Sequence, residues 1–240
     1  MSHPVTRDIE RAAVATWPTT TAVLRDGWLL RHCDLLRRRR SNSALPIGPL
    51  DDPESAIETV ERFYAERSSP ATVQVSPLDE HSVLDELLAA RGYRAGAPTA
   101  VMRTSRDALL QACPAQDFEV LLDESPAPRW LDAVAAVGGT PEPSLDRVPA
   151  PAAFATAVSR GTPVGVGMFA VADGWCGVYG MRTDDRWRRR GVAAALMRAG
   201  VGWSSAEQVF LQVESDNAVA RSRYATLGFI SAHAYHYRVR

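Results

Sequence analysis

The chain has 240 residues, 46% of them hydrophobic, and a formal net charge of −1. That is enough apolar material for one large or two small packed domains, and the charge balance argues against a nucleic-acid partner with an extended surface. All 27 basic residues are arginine, which excludes lysine Schiff-base chemistry and lysine self-acylation and points to a GC-rich bacterial genome. Cys33, Cys113 and Cys176 are far apart and lack metal-ligand spacing. No metal site is therefore expected, and the thiols fit a reducing compartment. No apolar run reaches membrane-spanning length, and the first residues carry no apolar signal region. A soluble, cytoplasmic protein without a membrane partner is the expectation; monomer and homodimer both stay open.

Residues 7–17 read as a short helix stopped by Pro18. Residues 27–32 and 35–45 read as strands, the second interrupted by Arg37-Arg38-Arg39-Arg40. On a strand such a run alternates, leaving two arginines in solvent and two for acids or a domain interface. Residues 53–67 form a helical stripe of Ile57, Val60, Phe63 and Tyr64. Asp51 and Asp52 precede it, where negative charge is favoured. A strand at 72–75 and a helix at 79–90 follow, the helix closed by Gly92. A strand at 97–103 comes next, then a junction at 105–117 with helix-like Ala108-Leu109-Leu110.

Residues 118–122 open a second region as a strand, followed by a helix at 128–137 and a loop at 138–143. Strands at 154–160 and 164–171 meet across Arg160-Gly161-Thr162-Pro163. Asp173-Gly174 turns the chain into a strand at 175–183, in which Gly177 and Gly180 suggest a bulge or a close backbone approach. After Gly191 a helix runs to about Ala199 or beyond, broken near Gly200 and Gly202, and a strand at 209–213 follows it.

The strand-to-helix junction carries the strongest chemistry. Its loop, Arg188-Arg189-Arg190-Gly191-Val192-Ala193, has the form Arg/Gln-x-x-Gly-x-Gly/Ala and leads into Ala194-Ala195-Leu196. A helix start has backbone N–H groups without intrahelical partners, and the helix dipole adds positive charge there. Together they favour a bound anion. Gly191 admits a phosphate close to the backbone, and arginine supplies forked donors. A diphosphate ligand is the expectation.

After the 209–213 strand come Asn217, Ala220, Tyr224, Gly228 and Phe229 in the pattern Asn-x-x-Ala-x-x-x-Tyr-x-x-x-Gly-Phe. With these residues the chain resembles the GNAT superfamily of acyl-CoA-dependent N-acyltransferases over roughly residues 117–240. Val73-Gln74-Val75, a helix, Gly92 and a strand to Arg103 parallel Leu211-Gln212-Val213, a helix, Gly228 and a strand to Val239. The first copy has Leu88 where the second has Tyr224 and lacks the arginine loop. Residues 1–105 are thus read as a degenerate GNAT-like domain, 106–116 as a linker and 117–240 as the catalytic domain. The expected fold is α/β (α+β), with tandem GNAT-like mixed sheets flanked by helices and the second copy carrying the acetyl-CoA site.

The resemblance implies that acetyl-CoA lies along the strand ending at Thr183, with backbone groups of Met181 and Thr183 on the pantetheine arm and Arg182 nearby. Arg188, Arg189, Arg190, Gly191, Val192, Ala193 and Ala194 would hold the pyrophosphate. Asn217 and Ala220 would contact the cofactor, although Asn217 also suits a helix cap, a role for which Asp216 competes. Tyr224 would protonate the leaving thiolate. In ribosomal-protein N-terminal acetyltransferases a glutamate base follows the Leu of the Leu-x-Val strand; this chain has Gln212 there. Glu214, which faces the same way two residues on, is the candidate base, with Glu142 and Asp185 as others acting through water. The expected partner is a small-molecule amine acceptor, and the 138–143 loop lies where such enzymes shape the acceptor pocket. A peptide N-terminal acetyltransferase and a non-catalytic acyl-CoA sensor are the alternatives.

Overall fold

The computed structural model describes residues 3–78 and 83–240. The first half contains α1 (His3–Ala15), β1 (Thr21–Arg25), β2 (Trp28–His32), β3 (Ala44–Pro46), α2 (Pro53–Ala65), β4 (Thr72–Val75), α3 (Leu84–Ala90) and β5 (Arg94–Ser105). The helix expected at 79–90 is seen from Leu84; residues 79–82 lie outside the described residues. Next come α4 (Arg106–Ala112), β6 (Glu119–Asp123), α5 (Pro128–Ala136), β7 (Ala152–Ser159), β8 (Thr162–Ala172) and β9 (Trp175–Thr183). The chain ends with α6 (Val192–Trp203), β10 (Gln208–Glu214), α7 (Ala218–Thr226) and β11 (Ile230–Val239).

The mixed α/β fold expected from the sequence is present as one sheet in the order β1-β2-β3-β4-β11-β5-β10-β9-β8-β7-β6. Its middle is an exchange. The last strand, β11, lies between β4 and β5, and β5 lies between β11 and β10. The long β5 pairs antiparallel with both, from Ser105↔Gln208 to Thr99↔Glu214 on one edge and from Arg103↔Ile230 to Arg94↔Val239 on the other. A side-chain clamp fastens the inserted strand. Arg238 of β11 donates from Nε and Nη2 to the two carboxylate oxygens of Asp85 on α3, each at 2.7 Å, and His236 Nε2 lies 2.7 Å from the same carboxylate.

The Arg238 hydrogen bond, with help from His236, holds the Asp85 carboxyl down to about 2. Its folded pKa is thus below the unfolded value of about 3.9, so its contribution is present above that value and is lost as pH falls toward 2. The side chain is 36% exposed, and solvent screening limits the gain. Asp85→Asn is expected to cost about 1 kcal/mol at pH 7. The gap to the parent protein should close near pH 2, read from denaturant midpoints across that range.

The internal repeat is visible in geometry. Gly92 and Gly228 adopt φ of 86° and 85° at the ends of α3 and α7. Tyr93 N–H bonds Leu88 O at 3.0 Å, and Phe229 N–H bonds Tyr224 O at 3.1 Å. Both helices therefore close with the same reversal, which a glycine makes accessible. Parallel pairing of β3 with β4 likewise mirrors that of β9 with β10.

Two local expectations are corrected, at residues 35–45 and at Gly200. Residues 35–45 are not a strand: Arg39–Ser41 form a 3-10 turn, and β3 is only Ala44–Pro46. The hairpin of β1 and β2 turns at Asp26-Gly27, with φ of 49° and 78°; such an Asp-Gly pair is a hairpin signal. Helix α6 does not break at Gly200 but continues to Trp203. A Cβ at Gly200 would lie 2.2 Å from the Phe169 ring, so this glycine serves close helix–sheet packing.

Alternation divides the strands between two cores. On one face Leu211, Val178 and Phe169 pack with Leu196 and Met197 of α6 and Leu109 of α4. On the other, Phe210, Tyr179 and Met168 pack with Ile9 and Ala12 of α1 and Trp130 of α5. A third core lies beneath α2 and α3, around Trp28, Ile57 and Tyr64.

Candidate active site

Strands β9 and β10 pair in parallel from Trp175↔Gln208 to Val178↔Leu211, and the pairing stops there. Gly180, at φ 58°, lies where the β8–β9 register shifts between Met168↔Tyr179 and Val166↔Arg182. That bulge turns β9 away while β10 continues along β5. The parting opens a cavity of about 370 Å³. Val178, Leu211 and Tyr224 line it from one core, and Met168, Tyr179 and Trp130 from the other, so the slot reaches both faces of the sheet. Beyond Val178, β9 keeps β8 on one edge and, among the described residues, has no strand on the other.

The end of β9 feeds the arginine loop. Asp184 accepts from the Arg186 amide at 2.9 Å and from its guanidinium, which holds the carboxyl down to about 2 and shapes the turn Asp185–Trp187. Arg189 and Gly191 have φ of 62° and 90°. Ala195 N–H is bonded to Gly191 O at 2.9 Å; the amides ahead of it are those of a helix start. Val192 and Ala194 are buried against the core below the loop. Arg188, Arg189 and Arg190 surround a shallow recess beside it together with Asp185 and Arg186. At the matching place in the first half, Asp52 accepts from the amides of Glu54 and Ser55 and caps α2. A carboxylate already fills that helix start, whereas among the described residues no side chain caps the start of α6.

Tyr224 stands half-buried on the slot wall, its ring edge-on to Phe229 at 5.8 Å. Burial pushes its phenol above the ordinary value, so it keeps its proton at neutral pH. Among the described residues its hydroxyl has no hydrogen-bond partner. Met181 and Arg182 line the same slot. The Arg182 guanidinium is bound to Val137 O at 2.8 Å and lies against Gly138, tying β9 to the end of α5. Thr183 ends β9, half-buried.

Asn217 caps α7, its Oδ1 accepting from Ala220 N–H at 3.0 Å; it takes the cap for which Asp216 competes in the sequence. Glu214 lies at the exposed end of β10, in a recess shared with Arg37–Arg40 rather than in the slot beside Tyr224. Gln212 lines both spaces. Glu142 faces the slot but is paired with Arg38 at 2.5 Å. Asp185 is exposed by the arginine loop and paired with Arg188 at 2.6 Å.

Trp17, Arg38, Arg40 and Tyr179 are among the slot residues that the sequence does not place there. The run at 37–40 was the available signal, but only the fold shows where it lands. The 138–143 loop also reaches the slot, through Gly139, Thr140 and Glu142.

The family model described as "Probable histone acetyltransferase Rv0428c C-terminal" matches residues 5–238. Among curated relatives, the "Uncharacterized N-acetyltransferase YobR" of Bacillus subtilis is 24% identical over 98% of both chains. A GCN5-related N-acetyltransferase from Kribbella flavida has the same fold, with a TM-score of 0.73 and 18% identity over 98% of this chain and 94% of that one. A tandem GNAT protein from the clavulanic acid biosynthesis pathway gives a TM-score of 0.62 at 11% identity, covering 82% and 74% of the two chains. The chain belongs to the family of the Rv0428c C-terminal region and is an acetyltransferase of the GNAT type.

Proposed function

We propose that this protein transfers the acetyl group of acetyl-CoA to the amine of a small molecule, by direct attack within a ternary complex. The observation that carries this reading is the parting of β9 and β10 beside Tyr224, one strand leading to an open helix start. The site suits the donor. Amides from Arg189 to Ala194 and the guanidiniums of Arg188, Arg189 and Arg190 hold the pyrophosphate. The free edge of β9 at Met181 and Thr183 holds the pantetheine arm, with Arg182 bracing the strand, and one of its N–H groups polarises the thioester carbonyl. Asn217 and Ala220 serve the donor by fixing the start of α7. The acceptor nitrogen attacks the thioester carbon, the C–S bond breaks, and Tyr224 gives the leaving thiolate its proton. The amine proton leaves toward solvent past Gln212 and Glu214, with Glu214 as base.

Attack without a covalent enzyme intermediate fits the cysteines. All three are buried; burial pushes the Cys176 thiol up to about 12 and raises that of Cys113. A thiol so placed is a poor nucleophile. Thiol release from acetyl-CoA, measured with a panel of amines, tests the reading. Turnover on no amine, together with no acetyl-CoA affinity by calorimetry, would sink it.

Gly191→Val probes the donor side. A β-branched residue is strained at φ 90°, at a cost of about 1–3 kcal/mol. We expect acetyl-CoA affinity to fall at least about tenfold by calorimetry, with Tyr224 and the slot intact.

A further inference from the structure

We infer that the acceptor is an acid-bearing amine, whose carboxylate or phosphate is received by Arg40 and its neighbours on the 37–40 turn; the inference rests on the transferase reading above. The slot and the adjoining recess are lined by Arg37, Arg38, Arg39, Arg40 and Arg182, against two carboxylates among the described residues, Glu142 and Glu214. One of these is already paired, Glu142 with Arg38. Arg182 is tied to Val137. Arg40 is different. Its guanidinium lies 4.5 Å from the Trp17 ring centroid and 5.5 Å from that of Tyr179, and among the described residues no carboxylate pairs with it. Stacking holds the side chain over the slot and leaves its forked donors for an anion.

The turn that carries it is built. Trp17 Nε1 donates to Ser41 Oγ at 2.8 Å, and Ser41 Oγ donates to Pro18 O at 2.9 Å, with Ser41 fully buried. Asn42 donates to Leu36 O and Arg38 O at 2.7 and 3.0 Å and accepts from Cys33 N–H at 2.9 Å. Thr16 and Tyr179 hydroxyls share a hydrogen bond of 2.6 Å, which fixes the second ring under Arg40. A solvated charge run needs none of these braces. An arginine pre-positioned in this way loses little entropy on binding an anion. The cluster has a second effect. Nearby positive charge disfavours the ammonium form of a bound amine, which aids loss of the proton before attack. A lysine-rich peptide gains no anion pairing here and meets the repulsion in full.

The test is the thiol-release assay run on matched pairs: amino acids against their carboxamides, amino sugars against their 6-phosphates, and a lysine-rich peptide. Acid-bearing members should be used with kcat/KM at least about tenfold above their neutral partners, the size of a charge-assisted hydrogen bond to a carboxylate or phosphate. Which acid is preferred separates the two anion sources. Arg40→Gln should erase the preference by raising acceptor KM, with acetyl-CoA KM as the reference. Arg39→Gln, at an exposed position, should weaken it less and guards against misfolding of the first variant. Equal or better use of neutral amines or of the lysine-rich peptide overturns the inference, as does a panel in which no acid-bearing amine is used. Acetyl-CoA calorimetry reports separately on the transferase reading.

Discussion

Tyr224→Phe is expected to lower kcat by about 10²–10⁴-fold, the usual contribution of general acid–base catalysis, and to leave acetyl-CoA affinity nearly unchanged. The ring stays, with its edge-on contact to Phe229 and its place on the slot wall; only the proton donor is removed. A thiol has a pKa of about 8.5, so its thiolate can leave unaided, but more slowly. Because burial raises the Tyr224 phenol, the acid form persists into alkaline solution. The kcat profile of the parent enzyme should therefore show no fall assigned to Tyr224 at or below its ordinary value of about 10. Steady-state kinetics of the two proteins across pH, with calorimetry for acetyl-CoA, checks both statements. Unchanged kcat in the variant would remove the general-acid role.

Phe210→Ala should cost about 3–5 kcal/mol of stability, read from denaturant midpoints. Phe210 is fully buried, with Trp175 and Tyr179 edge-on at 6.2 Å each. It sits one residue before β9 and β10 part, so its ring packs the sheet where the slot begins. The cavity it leaves is flanked by Tyr179, which carries part of the Arg40 stack. Acceptor KM should rise in the folded fraction, while the donor loop, at the far end of β9, is spared. A loss below about 1 kcal/mol would show that this junction repacks.

Much of the molecule could be read along the chain because it is written in contiguous residues. The helix start at Gly191 follows from one short pattern, since orphan amides, a positive φ and small residues are local properties. The repeat also shows in sequence, because its helix closure depends on the same glycine, at Gly92 and Gly228. Both roles the sequence offers Asn217 are local, and in the structure its side chain caps α7.

What needed the tertiary structure is what joins distant residues. The exchange of β5 and β11 has no signature in either strand, because each needs only an antiparallel neighbour and either half can supply one. Gly200 looked like a helix breaker; its partner, Phe169, lies two strands back, and only their contact shows that a Cβ has no room. In sequence the arginine run offers two side chains to solvent and two to acids or a domain interface, without saying which; only the fold, through α1 and the 3-10 turn, brings Trp17 and Arg40 over Tyr179 of β9. Sequence alone determined the proposed donor end, because an anion site of that kind is made from the backbone of one continuous segment. Tertiary structure decided the proposed acceptor end, because the slot is lined by side chains of both halves and its charge depends on which of them are paired.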